Sequence, residues 1–291
     1  MNNKKLRLCL VAATCCLSTA TFADEKSELV EYLKKTQVLE GYLAKTELPN
    51  SKLLLPLPPS KNSVAFQQDL AMNQQALALQ NSARWKQAAL DANLLFPRSA
   101  QIFSCAADVD ISKKTTPTLY KLLQKTLVDI GLSPSEAKVH YQRKRPFMEN
   151  GQPICALTAE EQIAANIIVQ ETEEDLAKDG SYPSGHSATG WGWALIMAEV
   201  VPHRKDPILL RGRTYAESRV ICNAHWQSDI LQGKVMGAAA VATLHSNKEF
   251  KKDLEKAKKE VAKAQRLGQK PDAAMCQREA ENLSVTLQDI L

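Results

Sequence analysis

The sequence predicts an all-α fold, and three observations favour it. The segment from Ser63 to Leu95 is rich in Ala, Leu and Gln and contains no Gly or Pro, the residues that interrupt helices. Helix-start signals recur along the chain. The alternation of apolar and polar residues that marks a half-buried strand is scarce. With 291 residues, 44% hydrophobic and 24% charged, collagen-like and wholly disordered classes are excluded. We expect a single helical domain with terminal extensions.

Residues 1–23 have the pattern of a secretory signal peptide. Three basic residues at positions 4–7 precede an apolar run at 8–17, and small residues up to Ala23 supply a cleavage site. Of the 37 Lys and Arg, 34 remain after cleavage against 32 Asp and Glu, a balance that argues against a nucleic-acid partner. No later stretch approaches the ~20 apolar residues that span a bilayer. We expect a periplasmic or secreted protein, cleaved after about Ala23, without membrane insertion.

Four cysteines remain after the signal: Cys105, Cys155, Cys222 and Cys276. In an exported protein they permit two disulfides in any of three connectivities, and the sequence leaves the choice open. The alternative, that some are buried free thiols, also stays open. They are widely spaced and form no Cys-x-x-Cys pair, so we expect no zinc site.

The mature chain divides into three parts. Residues 24–62 contain a short amphipathic helix, Asp24–Gln37, and a Pro-rich connector, Leu53–Pro59. The connector is expected to be extended, because a residue before proline avoids the helical region. Residues 63–265 form the helical domain, and residues 266–291 form a C-terminal helical tail.

Composition and helix-end signals predict the first helices of the domain in order. Ser63–Leu95 forms one or two helices. Thr118–Ile130 forms another and stops at Gly131, which suits the position after a helix end. Ser133–Glu136 restarts the helix with a capping box whose first residue is the cap, and Thr158–Glu161 repeats that pattern.

The second half of the domain is more apolar and follows a break at Gly180–Pro183. The predicted helices are Ser184–Val201, Pro207–Ile221, Gln227–His245 and Lys248–Lys263. The first of these is strongly apolar and should be buried. Gly190, Gly192 and Gly237 are small enough to allow neighbouring helices to approach closely. The last is dominated by Lys, Glu and Ala and is expected to be a solvated terminal helix.

The first of three polar motifs is the basic segment Lys138–Pro146. Lys138 and Arg145 lie seven residues apart, two helical turns, so they can point the same way, and Pro146 ends the helix at Arg145. Both are suited to bind phosphate oxygens. Taken alone, a basic helix face that includes Arg143 and Lys144 is usually solvated surface.

The second motif, Gly180–Ser187, is a Gly/Pro/Ser turn that leads into a helix. Free N–H groups and the helix dipole favour an anion there. Gly185 lets the backbone approach a ligand closely, and Ser184 offers a hydroxyl. His186, on the first turn, can donate a proton to a leaving group. The alternative is a Ser-capped helix with an incidental histidine.

The third motif is Ser218–Asp229. His225 and Asp229 are four residues apart, so the carboxylate can hold one ring nitrogen as N–H and leave the other as a nucleophilic lone pair. Arg219 supplies a planar, permanently charged fork for phosphate oxygens. A His–Asp pair beside an arginine ion pair is the structural alternative.

Together the motifs read Lys-x6-Arg-Pro, Pro-Ser-Gly-His and Ser-Arg-x5-His-x3-Asp. This order resembles the complete signature of the type 2 phosphatidic acid phosphatase (PAP2) superfamily, which includes class A bacterial acid phosphatases, membrane lipid phosphatases and vanadium haloperoxidases. The filled positions are Lys138, Arg145, Pro146, Pro183, Ser184, Gly185, His186, Ser218, Arg219, His225 and Asp229. The sequence around the motifs, over roughly residues 85–264, is similar to that of the secreted class A non-specific acid phosphatases.

The resemblance implies the single helical domain of the PAP2/vanadium haloperoxidase type and a metal-independent, cofactor-free acid phosphatase of broad specificity. It implies that His225 is the nucleophile that forms a phosphohistidine, that Asp229 orients it, and that His186 is the proton donor. The phosphate would be held by Lys138, Arg145, Ser184, Gly185 and Arg219. Small phosphate monoesters are the implied substrates, and members of the family commonly form homo-oligomers.

Two other functions use the same anion pocket. A vanadium-dependent haloperoxidase would bind vanadate there and oxidise halide with peroxide, with His225 as the metal ligand. A non-catalytic phosphate-binding module would keep the pocket without turnover. The similarity outside the motifs favours the phosphatase over the first. The presence of both histidines and Asp229 argues against the second, because binding alone needs only cations and N–H groups.

Overall fold

Every regular element of the computed structural model, which describes residues 40–290, is helical. The all-α prediction is therefore confirmed. The predicted signal peptide and the predicted helix Asp24–Gln37 lie outside the described residues. The α-helices are α1 Ser51–Leu54, α2 Val64–Leu77, α3 Ala83–Asp91, α4 Ser104–Ala107, α5 Pro117–Leu132, α6 Ser135–Tyr141, α7 Pro146–Asn150, α8 Ala159–Ala164, α9 Glu173–Ala177, α10 Gly185–Val200, α11 Lys205–Ile221, α12 Gln227–Leu244, α13 Lys248–Arg266 and α14 Ala273–Asn282. Short 3-10 turns occur at Lys45–Glu47, Arg98–Phe103, Pro202–Arg204 and Leu287–Ile290.

Helix α10 is the centre of the fold and packs against α5, α11 and α12. It is apolar around most of its circumference, which is typical of a helix surrounded by others. Gly190 lies against the ring of Tyr215 in α11, and Gly192 lies against Ile130 in α5 and Gly237 in α12. A side chain at either glycine would overlap its neighbour. The predicted buried helix, and its close contacts through small residues, are confirmed.

Helix α13 covers α5 on the side of the core. Its buried residues are Phe250, Leu254, Ala257, Val261 and Ala264. This spacing of three and four residues makes one apolar stripe, while the lysines and glutamates lie on the other faces. The expectation of a solvated helix holds for its outer faces but missed this stripe, which packs into the core.

Two disulfides form among the four cysteines. Cys105 in α4 pairs with Cys276 in α14, and Cys155 pairs with Cys222 at the end of α11. The structure thus selects one of the three connectivities that the sequence left open. Disulfides persist in oxidising compartments. Within residues 40–290, no helix combines the length and apolar character that a membrane span requires.

Several helix ends differ from their predicted positions. Helix α5 continues through Gly131 to Leu132. The hydroxyl of Ser133 donates to the carbonyl of Ile130 at 2.8 Å, so it completes the end of α5 and does not cap α6, whose N-cap is Pro134. The predicted connector begins with a helical turn, because α1 extends to Leu54. The Thr158–Glu161 capping box is confirmed, with bonds of 3.0 and 3.2 Å in the two directions.

Candidate active site

The three motifs meet at one pocket of about 380 Å³. Its motif residues are Lys138, Arg145, Gly185, His186 and His225. Backbone hydrogen bonds fix the segments to one another. The N–H of Ser181 donates to the carbonyl of Arg143 at 2.9 Å, and the N–H of Ser184 donates to the carbonyl of Asp229 at 3.0 Å. A larger cleft of about 790 Å³ between α3, α8 and α14 contains none of the motif residues.

Lys138 and Arg145 reach the pocket by a different route from the predicted one. Helix α6 ends at Tyr141, the following residue Gln142 has a φ of 44°, and Arg145 is the extended N-cap of α7. Pro146 therefore begins a helix and does not end one. Both cations nevertheless approach Asp179: its carboxylate is 2.8 Å from Nζ of Lys138 and 3.8 Å from Nη2 of Arg145.

Helix α10 begins at the second motif with Ser184 as its N-cap. The Oγ of Ser184 accepts from the N–H of Ser187 at 3.2 Å and from its hydroxyl at 2.9 Å. The N–H groups at positions 185 and 186 belong to the first turn, where the helix itself offers no acceptor. Because Gly185 lines the pocket, these groups lie beside the cations Lys138 and Arg145.

His186 is held by a backbone carbonyl. Its Nε2 lies 2.9 Å from the carbonyl of Ala92. Because a carbonyl can only accept a hydrogen bond, Nε2 carries a proton, and Nδ1 is the nitrogen that can gain or lose one. Burial and the charge of Arg219 lower the pKa of His186 to about 4, although Glu171 and the Ala92 carbonyl act in the opposite direction. In the free protein the ring is charged only in acidic solution.

His225 lies in the turn between α11 and α12, not within a helix. Its Nε2 is 2.9 Å from Nη1 of Arg145. Because a guanidinium only donates, Nε2 acts as the acceptor and carries a lone pair, and the ring proton is assigned to Nδ1. Burial, followed by the charges of Arg145 and Lys138, holds the pKa of His225 well below its ordinary value. The ring is neutral, the form required of a nucleophile.

Asp229 lies in the first turn of α12 and faces this histidine. Its Oδ2 is 3.5 Å from Nδ1 of His225 and accepts from the N–H of Trp226 at 2.8 Å. The 3.5 Å contact is an ion-pair distance and not a hydrogen bond, and Nδ1 has no hydrogen-bond partner among the described residues. The backbone contact with Trp226 therefore fixes the carboxylate close to the ring proton.

Arg219 is fully buried near the end of α11. Its Nη2 is 2.6 Å from Oε2 of Glu171. Its Nε and Nη1 have no hydrogen-bond partner among the described residues. Buried guanidinium donors are rarely left without acceptors, so two donors of Arg219 are available for the oxygens of an anion.

Ser218, the residue before Arg219 in α11, contacts two residues of α3. Its hydroxyl donates to Oδ2 of Asp91 at 2.6 Å, and Nη1 of Arg84 donates to it at 3.0 Å. Asp91 also binds Arg211 through both oxygens, at 2.6 and 3.2 Å. This buried network fixes α11 against α3. The motif serine therefore has a structural contact here.

Arg143 lies at the site, although its sequence context predicts solvated surface. Its guanidinium is buried and binds Oδ1 of Asp229 at 2.6 Å and Oδ2 of Asp69 at 2.7 Å. It also donates to the hydroxyl of Ser228 at 2.7 Å. The one sequence signal was Asp69 itself, a carboxylate in an otherwise apolar and amide-rich helix. Glu171 and Asp179 also lie at the pocket, and no motif marked them.

Comparison with known proteins assigns the chain to a family. The model of the PAP2 superfamily matches residues 119–252. A non-specific acid phosphatase of Providencia stuartii is 42% identical over 223 residues, which cover 76% of this chain and 85% of that protein. An acid phosphatase of Zymomonas mobilis is 36% identical, over 78% of this chain and 80% of that protein. A non-specific acid phosphatase of Salmonella typhimurium is 34% identical, over 84% and 93%. The chain therefore belongs to the PAP2 superfamily.

Proposed function

We propose that this protein is an acid phosphatase that hydrolyses phosphate monoesters through a phosphohistidine on His225. The names of its relatives support the activity. The observation that carries the mechanism is the 2.9 Å contact in which Arg145 donates to Nε2 of His225. In this contact the neutral ring directs its lone pair at a cation for which we propose phosphate binding.

Phosphate binding is proposed for Lys138, Arg145 and Arg219, together with the N–H groups at Gly185. The unpartnered donors of Arg219 support this assignment. Ser184 accepts two hydrogen bonds as the cap, so its own O–H can still donate to a phosphate oxygen. Two arginines, a lysine and a helix N-terminus offset the charge of a transferring phosphoryl group. We therefore propose that no metal ion or cofactor is needed.

The reaction runs in two balanced steps. In the first, Arg145 releases Nε2, which attacks phosphorus as the bond to the leaving oxygen breaks, and Nδ1 of protonated His186 gives that oxygen its proton. Asp229 stabilises the resulting charge on the His225 ring. In the second, neutral His186 accepts a proton from water, whose oxygen attacks phosphorus and breaks the N–P bond. Inorganic phosphate leaves, and both histidines return to their starting forms.

The proposed setting is the periplasm or the exterior, where the disulfides Cys105–Cys276 and Cys155–Cys222 are maintained. The proposed substrates are small phosphate monoesters of varied leaving group. A homo-oligomer is proposed from the family resemblance alone.

A substrate screen of the purified mature protein tests this function. It should hydrolyse p-nitrophenyl phosphate at acidic pH, resist EDTA and be inhibited by vanadate, which mimics the five-coordinate phosphorus of the transition state. Loss of activity in EDTA would overturn metal independence. Peroxide-dependent bromination in the presence of vanadate, without hydrolysis, would support a haloperoxidase. Phosphate binding without turnover of any monoester would support a binding module.

The role of His186 has its own test. His186→Ala should reduce the hydrolysis of alkyl phosphates far more than that of aryl phosphates, because an alkoxide needs a proton to leave and a nitrophenolate does not. Equal losses for the two classes would refute the proton-donor assignment.

A further inference from the structure

One carboxylate outside the motifs is fixed at the active site by the segment Val169–Thr172. Gln170 forms two hydrogen bonds with the backbone of Leu157, at 2.9 and 3.3 Å. Thr172 caps α9, and the carbonyl of Val169 accepts from the side chain of Asn93 at 2.9 Å. Glu171 therefore lies between residues that are all anchored.

The side chain of Glu171 contacts two groups of the proposed reaction. Its Oε2 is 2.6 Å from Nη2 of Arg219, and its Oε1 is 3.8 Å from Nε2 of His186. Burial raises the pKa of Glu171, but Arg219 and His186 outweigh burial and bring it to about 2. The carboxylate is therefore charged at pH values well above 2.

We propose that Glu171 is a positioning residue of the phosphatase reaction: it holds Arg219 by one nitrogen and favours the protonated form of His186. This inference rests on the proposed function. Glu171 uses only Nη2 of Arg219, so Nε and Nη1 stay free for phosphate. It therefore orients the arginine and leaves the phosphate-binding donors unoccupied.

The balance of charge around His186 explains why the carboxylate matters. Arg219 and Arg145 oppose a positive ring, whereas Glu171 and the carbonyl of Ala92 favour it. The other charged or titratable groups that line the same pocket are Lys138, Asp175, Asp179 and His225. Asp175 binds Lys178, and Asp179 binds Lys138, so their charges are partly offset. Glu171 is the carboxylate in ion-pair contact with His186 within residues 40–290.

Glu171→Gln keeps the shape of the side chain and removes its charge. Glu174→Gln is the matched control, because Glu174 is an exposed residue of α9 whose ion pair is with Lys178. We would measure kcat/KM against pH for p-nitrophenyl phosphate and for glycerol phosphate. In Glu171→Gln the limb that falls with rising pH should move to lower pH. On that limb, kcat/KM for glycerol phosphate should fall about tenfold, which corresponds to one pH unit.

The loss for p-nitrophenyl phosphate should be smaller, since its leaving group needs no proton, and Glu174→Gln should match the wild type. If Glu171 had a merely structural role, kcat/KM would fall equally for both substrates and the falling limb of the pH profile would stay in place. That result, or a profile identical to the wild type, would overturn the inference and leave the proposed function intact. Absence of hydrolysis by the wild type would instead refute the proposed function.

Circular dichroism and thermal unfolding would verify that the variants fold. If Glu171→Gln does not fold, Glu171→Asp provides the same test. Its shorter side chain places the carboxylate farther from His186, so the falling limb of the pH profile should move in the same direction by a smaller amount. A Glu171→Asp limb that stays in place would overturn the inference.

Discussion

Arg143 binds Asp229 through its guanidinium, and its removal gives a quantitative test of how the site is built. Its guanidinium also binds Asp69, and both carboxylates are almost completely inaccessible. It stacks near the rings of Phe66 and Trp226, at 5.8 and 5.6 Å. Arg143→Met retains most of this apolar contact and removes the charge and the hydrogen bonds.

The expected cost follows from the two carboxylates left without a cation. Removing one partner of a buried ion pair costs about 3–5 kcal/mol. Asp69 and Asp229 share one guanidinium, so their losses are coupled and are not added. We predict that Arg143→Met lowers the free energy of unfolding by about 3–5 kcal/mol. At about 2–4 °C per kcal/mol for a chain of this size, Tm should fall by about 6–20 °C.

Urea unfolding monitored by circular dichroism, with the disulfides intact, measures this free energy. Lys144→Ala is the matched control, because the neighbouring side chain is exposed and should change stability by less than about 0.5 kcal/mol. The variant should also lose kcat, since Asp229 is no longer fixed beside His225. A loss of stability below about 1 kcal/mol, or an effect equal to that of Lys144→Ala, would refute the account of this buried cluster.

Three further predictions concern the pH profile, one disulfide bond and the packing of two glycines. Because His186 must be protonated and its pKa in the free protein is about 4, kcat/KM for alkyl phosphates should fall as pH rises through that value. The fall of kcat with rising pH should occur at higher pH than that of kcat/KM, since a bound phosphate dianion favours the charged ring. If kcat and kcat/KM fell at the same pH, this would argue against the prediction. Reducing the Cys155–Cys222 bridge, whose cysteines are 67 residues apart, should cost about 4 kcal/mol in urea unfolding; an unchanged midpoint would contradict it. Gly233→Ala would press a Cβ against the carbonyl of the residue that caps α10 and should cost about 1–3 kcal/mol. In Gly131→Ala the new Cβ meets only the hydroxyl of Thr189, at an ordinary contact distance of 3.8 Å, so this variant should stabilise slightly; equal thermal shifts for the two variants would contradict the packing.

The helices and the chemistry of the motifs could be predicted because both depend on local sequence. The apolar run that became α10 is surrounded by other helices, and the Thr158 capping box forms as its spacing indicates. Lys138 and Arg145 converge as expected, but through a turn at Gln142 and not along one helix. The prediction assumed regular helix, whereas the chain leaves it at a residue with positive φ.

Partners distant in sequence could not be predicted. Arg143 differs from a surface arginine only because Asp69, 74 residues earlier in the chain, is brought to it. Glu171 follows no motif, and its place depends on hydrogen bonds to Leu157 and Asn93. The stripe of α13 was hidden because abundant lysine and glutamate dominate its composition, although its apolar positions have helical spacing.

The central claim is that Nε2 of His225 carries the phosphoryl group. Incubation with labelled p-nitrophenyl phosphate, a rapid alkaline quench that preserves the N–P bond, and peptide mapping would test it most directly. We predict a label on His225, no label in His225→Ala, and more label in His186→Ala, because the second step then lacks its base. Label on another residue, or normal turnover by His225→Ala, would contradict the account.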